Sequence, residues 1–250
     1  LPLARGRNIL RLQTFGIGES NVQQLINDKL GNWPAEVELG FRAGAPQVEV
    51  KLTIRNAADS ATQQRCREQL YGLIGDHIIG EGDTTLAQRV LQLLRERGAT
   101  LATAESCTGG LIASMLTRVP GSSEGFHAGF VTYSNDIKQS VLGVSGTSLQ
   151  QHGAVSEAVV REMALGAIER SGATYAIAVS GIASPDGGTA EKPVGTVWLA
   201  WGSRDDLRTR GLCWPVERTL FHTMIAAGAL DMMRRMLLGI GAEPRYFVQR

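Results

Sequence analysis

Three short stretches hold the residue types that could carry chemistry. The first is Ala104-Glu105-Ser106-Cys107-Thr108-Gly109-Gly110, which ends an apolar run and opens a helical one. A serine at a strand-to-helix junction lies near unpaired N–H groups and the positive end of a helix dipole. Such groups can hold the negative oxygen of a tetrahedral intermediate, which is acyl-transfer chemistry. Thr108, Gly109 and Gly110 would let a substrate approach the backbone closely. Two plainer roles stay open for this stretch. Ser106 or Thr108 can simply cap the helix, and Cys107 is either a rival nucleophile or an inert core thiol.

A serine needs a base to become a nucleophile. His127, His152 and His222 have no spacing that marks a triad. The second stretch, Val131-Thr132-Tyr133-Ser134-Asn135-Asp136-Ile137-Lys138, offers another solution. A lysine serves as base when burial or positive neighbours lower its pKa, and a tyrosine can relay or orient the proton. Tyr133 ends an expected strand and Lys138 follows about one helical turn later, so both can reach one crevice beyond the strand ends. A surface lysine beside a half-buried tyrosine is the ordinary alternative.

The third stretch is Ser180-Gly181-Ile182-Ala183-Ser184-Pro185-Asp186-Gly187-Gly188-Thr189, followed by Glu191-Lys192-Pro193-Val194-Gly195-Thr196. A glycine-rich loop after a buried strand can cradle a phosphate or a planar ring, here through Ser180, Gly181, Gly187, Gly188 and Thr189. It fits neither the P-loop nor the dinucleotide fingerprint. Pro-Asp-Gly-Gly is also a strong turn sequence by itself.

The elements that must position these residues read as two domains, 1–82 and 83–250. In the first, a strand at Ile9–Phe15, a helix from Glu19 to about Leu30, an alternating strand through Val48, Val50, Leu52 and Ile54, and a helix from Ala57 to Ile74 make a small α+β unit. The turn cluster Gly80-Glu81-Gly82-Asp83 marks its end. From Thr84 onward, helices alternate with apolar strands, as in a layered α/β/α sandwich. The expected helices span Thr84–Gly98, Gly109–Thr117, the stretch through Lys138, Ser156–Arg170 and Glu217–Leu238. The expected strands are Thr100–Ala104, Gly129–Tyr133, Tyr175–Val179, Val194–Trp201 and Leu207–Trp214.

Composition narrows the function classes. The 250 residues are 43% hydrophobic and 20% charged, with a net charge of +1, which fits a globular chain and gives no electrostatic pull toward nucleic acid or membrane. Apolar runs fall short of the ~18 residues a membrane span needs. The arginine-bearing start has no apolar core and is no signal peptide; the chain is expected to be the C-terminal part of something longer. Cys66, Cys107 and Cys213 share no metal-ligand spacing, and a reducing, cytoplasmic setting is expected. The Gly-x-x-Gly of an RNA-binding loop occurs as Gly72-Leu73-Ile74-Gly75, at an expected helix end, which argues against a nucleic-acid partner.

Five ordered blocks carry a family resemblance. They are Thr103 through Gly110, Thr117 through Ser123, Gly129 through Asn135 with Lys138, Gly153-Ala154-Val155-Ser156-Glu157, and Ser180 through Ala183 with Glu191 through Gly195. Together they resemble the CinA C-terminal domain family. Leu12-Gln13-Thr14-Phe15-Gly16-Ile17-Gly18-Glu19-Ser20 resembles the linker-proximal segment of full-length CinA proteins, which precedes a small KH-like α+β domain. The resemblance implies an amidohydrolase that turns nicotinamide mononucleotide and water into nicotinate mononucleotide and ammonia. It also implies Ser106 as nucleophile, Lys138 and Tyr133 as its activators, a polar hydroxyl at Ser180, and neither cofactor nor metal. A homodimer with a small nucleotide as substrate is expected, with no nucleic acid or membrane as partner. Departures from the family pattern at Ser184, where relatives usually have glycine, and at Val216-Glu217-Arg218 and His222 set up the alternative: a catalytically silent module that binds a nucleotide or a partner.

Overall fold

A computed structural model describes residues 8–248, which form two units. Residues 8–85 together with 242–248 make the first, and residues 86–241 the second.

The first unit contains β1 (Asn8–Thr14), α1 (Glu19–Leu30), β2 (Glu38–Gly44), β3 (Gln47–Ile54), α2 (Ser60–Ile74) and β4 (Ile78–Glu81). Its sheet runs β2-β3-β1-β4, with antiparallel pairing throughout. The alternation in β3 places Val50, Leu52 and Ile54 against Ile26, Cys66 and Leu70 in a closed core. Two strands had no expectation. β2 reads Glu-Leu-Gly-Phe-Arg-Ala-Gly and lies largely exposed at an edge, so no buried face patterns its sequence. Gly80 and Glu81, expected as turn, belong to β4, and only Gly82 turns, with φ +65°. Gly72 lies inside α2, and Gly75 follows its last residue, Ile74.

The second domain was expected to run to residue 250. Residues 242–248 instead return to the first unit. Pro244 packs so closely on Gly16 that a Cβ there would sit 2.6 Å from the proline Cβ. The Tyr246 phenol donates to the Ile17 carbonyl, and its ring meets Phe15 edge-on.

The second unit is built from α3 (Leu86–Glu96), β5 (Leu101–Glu105), α4 (Leu111–Thr117), β6 (Phe126–Val131), α5 (Asn135–Leu142), α6 (Gly146–His152), α7 (Glu157–Ser171), β7 (Tyr175–Gly181), β8 (Thr196–Gly202), β9 (Leu207–Cys213) and α8 (Arg218–Leu238). A further helical turn, α9 (Arg245–Val248), belongs to the C-terminal segment described above. The sheet order is β6-β5-β7-β8-β9. β5 pairs parallel with β6 and with β7, while β8 and β9 are antiparallel. α7 covers one face, and α8, with α3 and α4, covers the other, giving the α/β/α sandwich. Ala102, Ala104, Ala176, Ala178 and Ala200 form a small-residue floor on which Met163, Ala164 and Ala167 of α7 close. α6 has no apolar periodicity in seven residues and was not anticipated.

Parallel pairing has one consequence for chemistry. β6, β5 and β7 are neighbours and point the same way, so their carboxyl ends open at one edge of the sheet. The three stretches singled out in the sequence all begin there.

Candidate active site

Ser106 is the first residue after β5. Its N–H donates to the Val179 carbonyl at 3.0 Å, so the nucleophile candidate is anchored to β7 although it has left the strand. The helix that follows starts at Leu111, two residues later than expected, because Gly109 and Gly110 take φ of +59° and +94°. A side chain would be strained at either position. Ser106 does not cap α4: the residue at its N-cap is Gly110, with no side-chain cap bond. The helix is served instead by Glu105, fully buried, whose carboxylate accepts from Gly110 N at 3.1 Å, Ile112 N at 3.0 Å and Ala113 N at 2.8 Å.

Lys138 comes from the other side of the crevice. Ser134 starts α5 by accepting the Ile137 N–H on its hydroxyl, and Lys138 then lies on the helix face turned inward. It is 1% exposed. Its Nζ donates to Thr132 O at 2.8 Å, Tyr133 O at 3.2 Å and Ser106 Oγ at 3.1 Å. Burial in this crevice pushes the amine's pKa below its ordinary value, with the Cys107 thiol acting weakly the other way. The positive end of the α4 dipole, which would push the same way as burial, is already taken by the Glu105 carboxylate on the α4 N-terminus.

Cys107 is no competitor as nucleophile. It is 6% exposed, and burial pushes its thiol up to about 12, so it stays protonated and inert at neutral pH.

Tyr133 differs from its expected place. Its side chain is 66% exposed and its phenol has no hydrogen-bond partner among the described residues; the backbone carbonyl, not the ring, holds Lys138. The strand was expected to run to Tyr133, with the ring relaying or orienting the proton. β6, however, ends at Val131 on the edge of the sheet, where no further strand covers it.

Ser106, Lys138 and Tyr133 line a cavity of about 280 Å³ together with Ser180, Gly181 and Gly187. Ser180 is buried, and its hydroxyl donates to Ala154 O at 2.8 Å, holding the loop before α7 against the site. Thr108, Gly109, Gly110, Gly188 and Thr189 do not line it. Gly109 N–H is taken by the Ser106 carbonyl and Gly110 N–H by Glu105. Gly188 is a glycine for packing, since a Cβ would lie 2.6 Å from Val194 N. Thr189 accepts the Lys192 N–H on its hydroxyl and closes the tip of the loop.

The sequence reading missed Asp186 and Arg218, both of which line the cavity. Arg218 Nη1 donates to Ser184 O at 3.1 Å and Ala183 O at 3.4 Å, so the α8 N-terminus is tied to the glycine-rich loop. The signal at hand was the family pattern at Val216-Glu217-Arg218; spacing alone does not bring into the site an arginine more than thirty residues from the loop it contacts. The departure at Ser184 turns away from the cavity: its hydroxyl donates to Val216 O at 3.1 Å. Glu217 caps α8 with its carboxylate on Thr219 N and Leu220 N, and those N–H groups hold its pKa below the ordinary value. Among the described residues, no cluster of His, Cys, Asp and Glu could hold a metal ion, and no helix is long and apolar enough to cross a membrane.

This geometry can be compared with known proteins. Residues 83–237 match the CinA C-terminal domain, and residues 11–80 the KH domain of damage-inducible protein CinA. The chain belongs to the CinA family. It is 48% identical to a CinA-like protein of Colwellia psychrerythraea, over all of this chain and 59% of that one. It is 44% identical to a CinA-like protein of Akkermansia muciniphila, over 88% of this chain and 53% of that one. The chain thus spans somewhat more than half the length of these CinA relatives. Among solved structures, a CinA superfamily protein from Klebsiella pneumoniae aligns with a TM-score of 0.60 at 38% identity, over 62% of this chain and 96% of its own. The competence/damage inducible protein CihA of Agrobacterium tumefaciens aligns with a TM-score of 0.57 at 42% identity, over 63% of this chain and 94% of its own.

Proposed function

We propose that the second unit hydrolyses the carboxamide of nicotinamide mononucleotide, giving nicotinate mononucleotide and ammonia. The observation that carries this reading is the contact of the buried Lys138 Nζ with Ser106 Oγ at 3.1 Å, at the floor of a cavity sized for a small ligand. The choice of substrate comes from the family's five sequence blocks.

In the proposed cycle, neutral Lys138 takes the Ser106 proton as Oγ attacks the carboxamide carbon. The oxyanion would be held by the N–H group of Cys107, which lines the cavity and whose N–H no other residue among those described accepts. It is a better candidate for that task than the Gly109 and Gly110 N–H groups, which are spent. As the C–N bond breaks, Lys138 returns the proton to the leaving nitrogen and ammonia departs. Water then attacks the acyl-serine ester, with Lys138 again as base, and releases the carboxylate and free Ser106. Tyr133, exposed at the mouth, is suited to covering the planar ring rather than moving the proton. Arg218 supplies positive charge for the phosphate.

The silent-module alternative rested on Ser184, on Val216-Glu217-Arg218 and on His222. That the Ser184 hydroxyl turns to Val216 O and that Arg218 reaches the cavity support the active reading; His222 does not line the cavity. The test is ammonia release from nicotinamide mononucleotide by wild type and Ser106→Ala. Release that falls at least ~10³-fold in a folded, ligand-binding variant supports the reading. Wild type that binds the mononucleotide and releases no ammonia favours the silent module.

A further inference from the structure

We propose that Glu105 is a positioning residue for Ser106, acting through both its side chain and its backbone; this rests on the reading of Ser106 as nucleophile. The cycle above gives Glu105 no task, yet it is fully buried one residue before the nucleophile. Its carboxylate oxygens take three N–H groups, those of Gly110, Ile112 and Ala113. Its own carbonyl accepts from Thr132 N at 2.9 Å. The Thr132 carbonyl, in turn, accepts from Lys138 Nζ at 2.8 Å. One residue therefore ties the end of β5, the start of α4 and the segment carrying the base.

The side chain reaches forward over the nucleophile turn. A carboxylate is acceptor-only, with lone pairs enough for three donors. By filling the α4 N-terminus from behind, it spares the chain between Ser106 and Gly110 from supplying a capping side chain. That turn can then bulge outward through the two left-handed glycines, with no other residue among those described accepting the Cys107 and Thr108 N–H groups. An ordinary cap from Ser106 or Thr108 would spend the hydroxyl, or draw the turn inward over those donors. Glu105 thus separates two demands that normally compete at a helix start, which are capping the helix and presenting a nucleophile.

An amide cannot replace the carboxylate, because its NH2 would face an N–H donor. Glu105→Gln should stay folded but let the turn relax, and misplacement on the ångström scale lowers a rate on the order of 10²-fold. The experiment follows acylation of the full chain by p-nitrophenyl acetate as a burst of nitrophenolate, alongside ammonia release from nicotinamide mononucleotide and amide exchange at Gly110, Ile112 and Ala113. Glu105→Gln is expected to show a slower burst and a lower kcat with KM nearly unchanged, plus faster exchange at the three amides and a native circular dichroism spectrum. A wild-type burst rate in folded Glu105→Gln overturns the proposal, as does a loss confined to KM. A wild-type burst without ammonia release sinks the substrate reading and leaves this assignment standing. A wild type that does not acylate Ser106 sinks both.

Discussion

Lys138 Nζ meets Ser106 Oγ at 3.1 Å across 32 residues of sequence, and the amine's other two partners are the carbonyls of Thr132 and Tyr133. Three partners fit both protonation states. A neutral amine gives its two N–H bonds to the carbonyls and turns its lone pair to the serine hydroxyl. An ammonium donates to all three oxygens. The proton can therefore move from Ser106 to Lys138 without any rearrangement of the side chain.

That arrangement predicts a pH dependence. Burial lowers the Lys138 pKa from its ordinary 10.5, so the base is increasingly available as pH rises through the lowered value. kcat/KM should climb with pH and reach a plateau below 10.5. Lys138→Arg should lose at least ~10³-fold, because guanidinium stays charged. Stability should follow the same group. Between the folded pKa and 10.5 the unfolded chain binds the extra proton, so unfolding is favoured as pH falls and stability rises with pH across that window. Urea midpoints measured against Lys138→Met at several pH values should diverge in that sense. A pH-independent difference would show that Lys138 has no lowered pKa.

Cys107 should be dispensable. With its thiol pushed up to about 12 it is not a thiolate at pH 8, and Cys66 is also buried with its thiol raised. Cys213 is the exposed cysteine. Iodoacetamide at pH 8 should label Cys213, as read by peptide mass, and leave acylation and turnover intact. Cys107→Ala should keep turnover within a few-fold. Inactivation that parallels labelling of Cys107 would transfer the nucleophile role to the thiol.

Arg218 should act on binding. Its guanidinium lies at the cavity and is steadied by the Ser184 and Ala183 carbonyls. Arg218→Ala should raise KM for nicotinamide mononucleotide about tenfold or more, the scale of a lost charged hydrogen bond, with a smaller change for the uncharged riboside. Equal effects on both ligands would mean that the arginine holds the loop rather than the phosphate.

Gly166 tests the packing of α7 on α5. A Cβ there would overlap the Leu142 carbonyl, which is backbone and cannot swing aside. Gly166→Ala, a change that helps most helices, should instead destabilise by about 1–3 kcal/mol. Chemical denaturation reads this directly, and a stabilised variant would contradict the close approach of the two helices.

What the sequence by itself determined follows from local physics. Tyr175–Val179 is a continuous apolar run because a strand with neighbours on both sides and helices on both faces has no wet side. The serine-to-helix junction, the lysine one turn after Ser134 and the loop after Ser180 are likewise legible, because turn chemistry and helix starts are written in neighbouring residues. What only the tertiary structure decided is every relation across the sheet. Parallel pairing of β5 with β6 and β7 brings Ser106, Lys138 and Ser180 to one edge, and no spacing in the chain encodes that pairing. The same holds for Tyr133, whose exposure follows from the edge position of β6, where no further strand covers it. It holds for Glu105 and Arg218 as well. A carboxylate reaching forward over a turn and an arginine arriving from a distant helix act through space, where burial and the direction of a side chain are set by everything that packs around it.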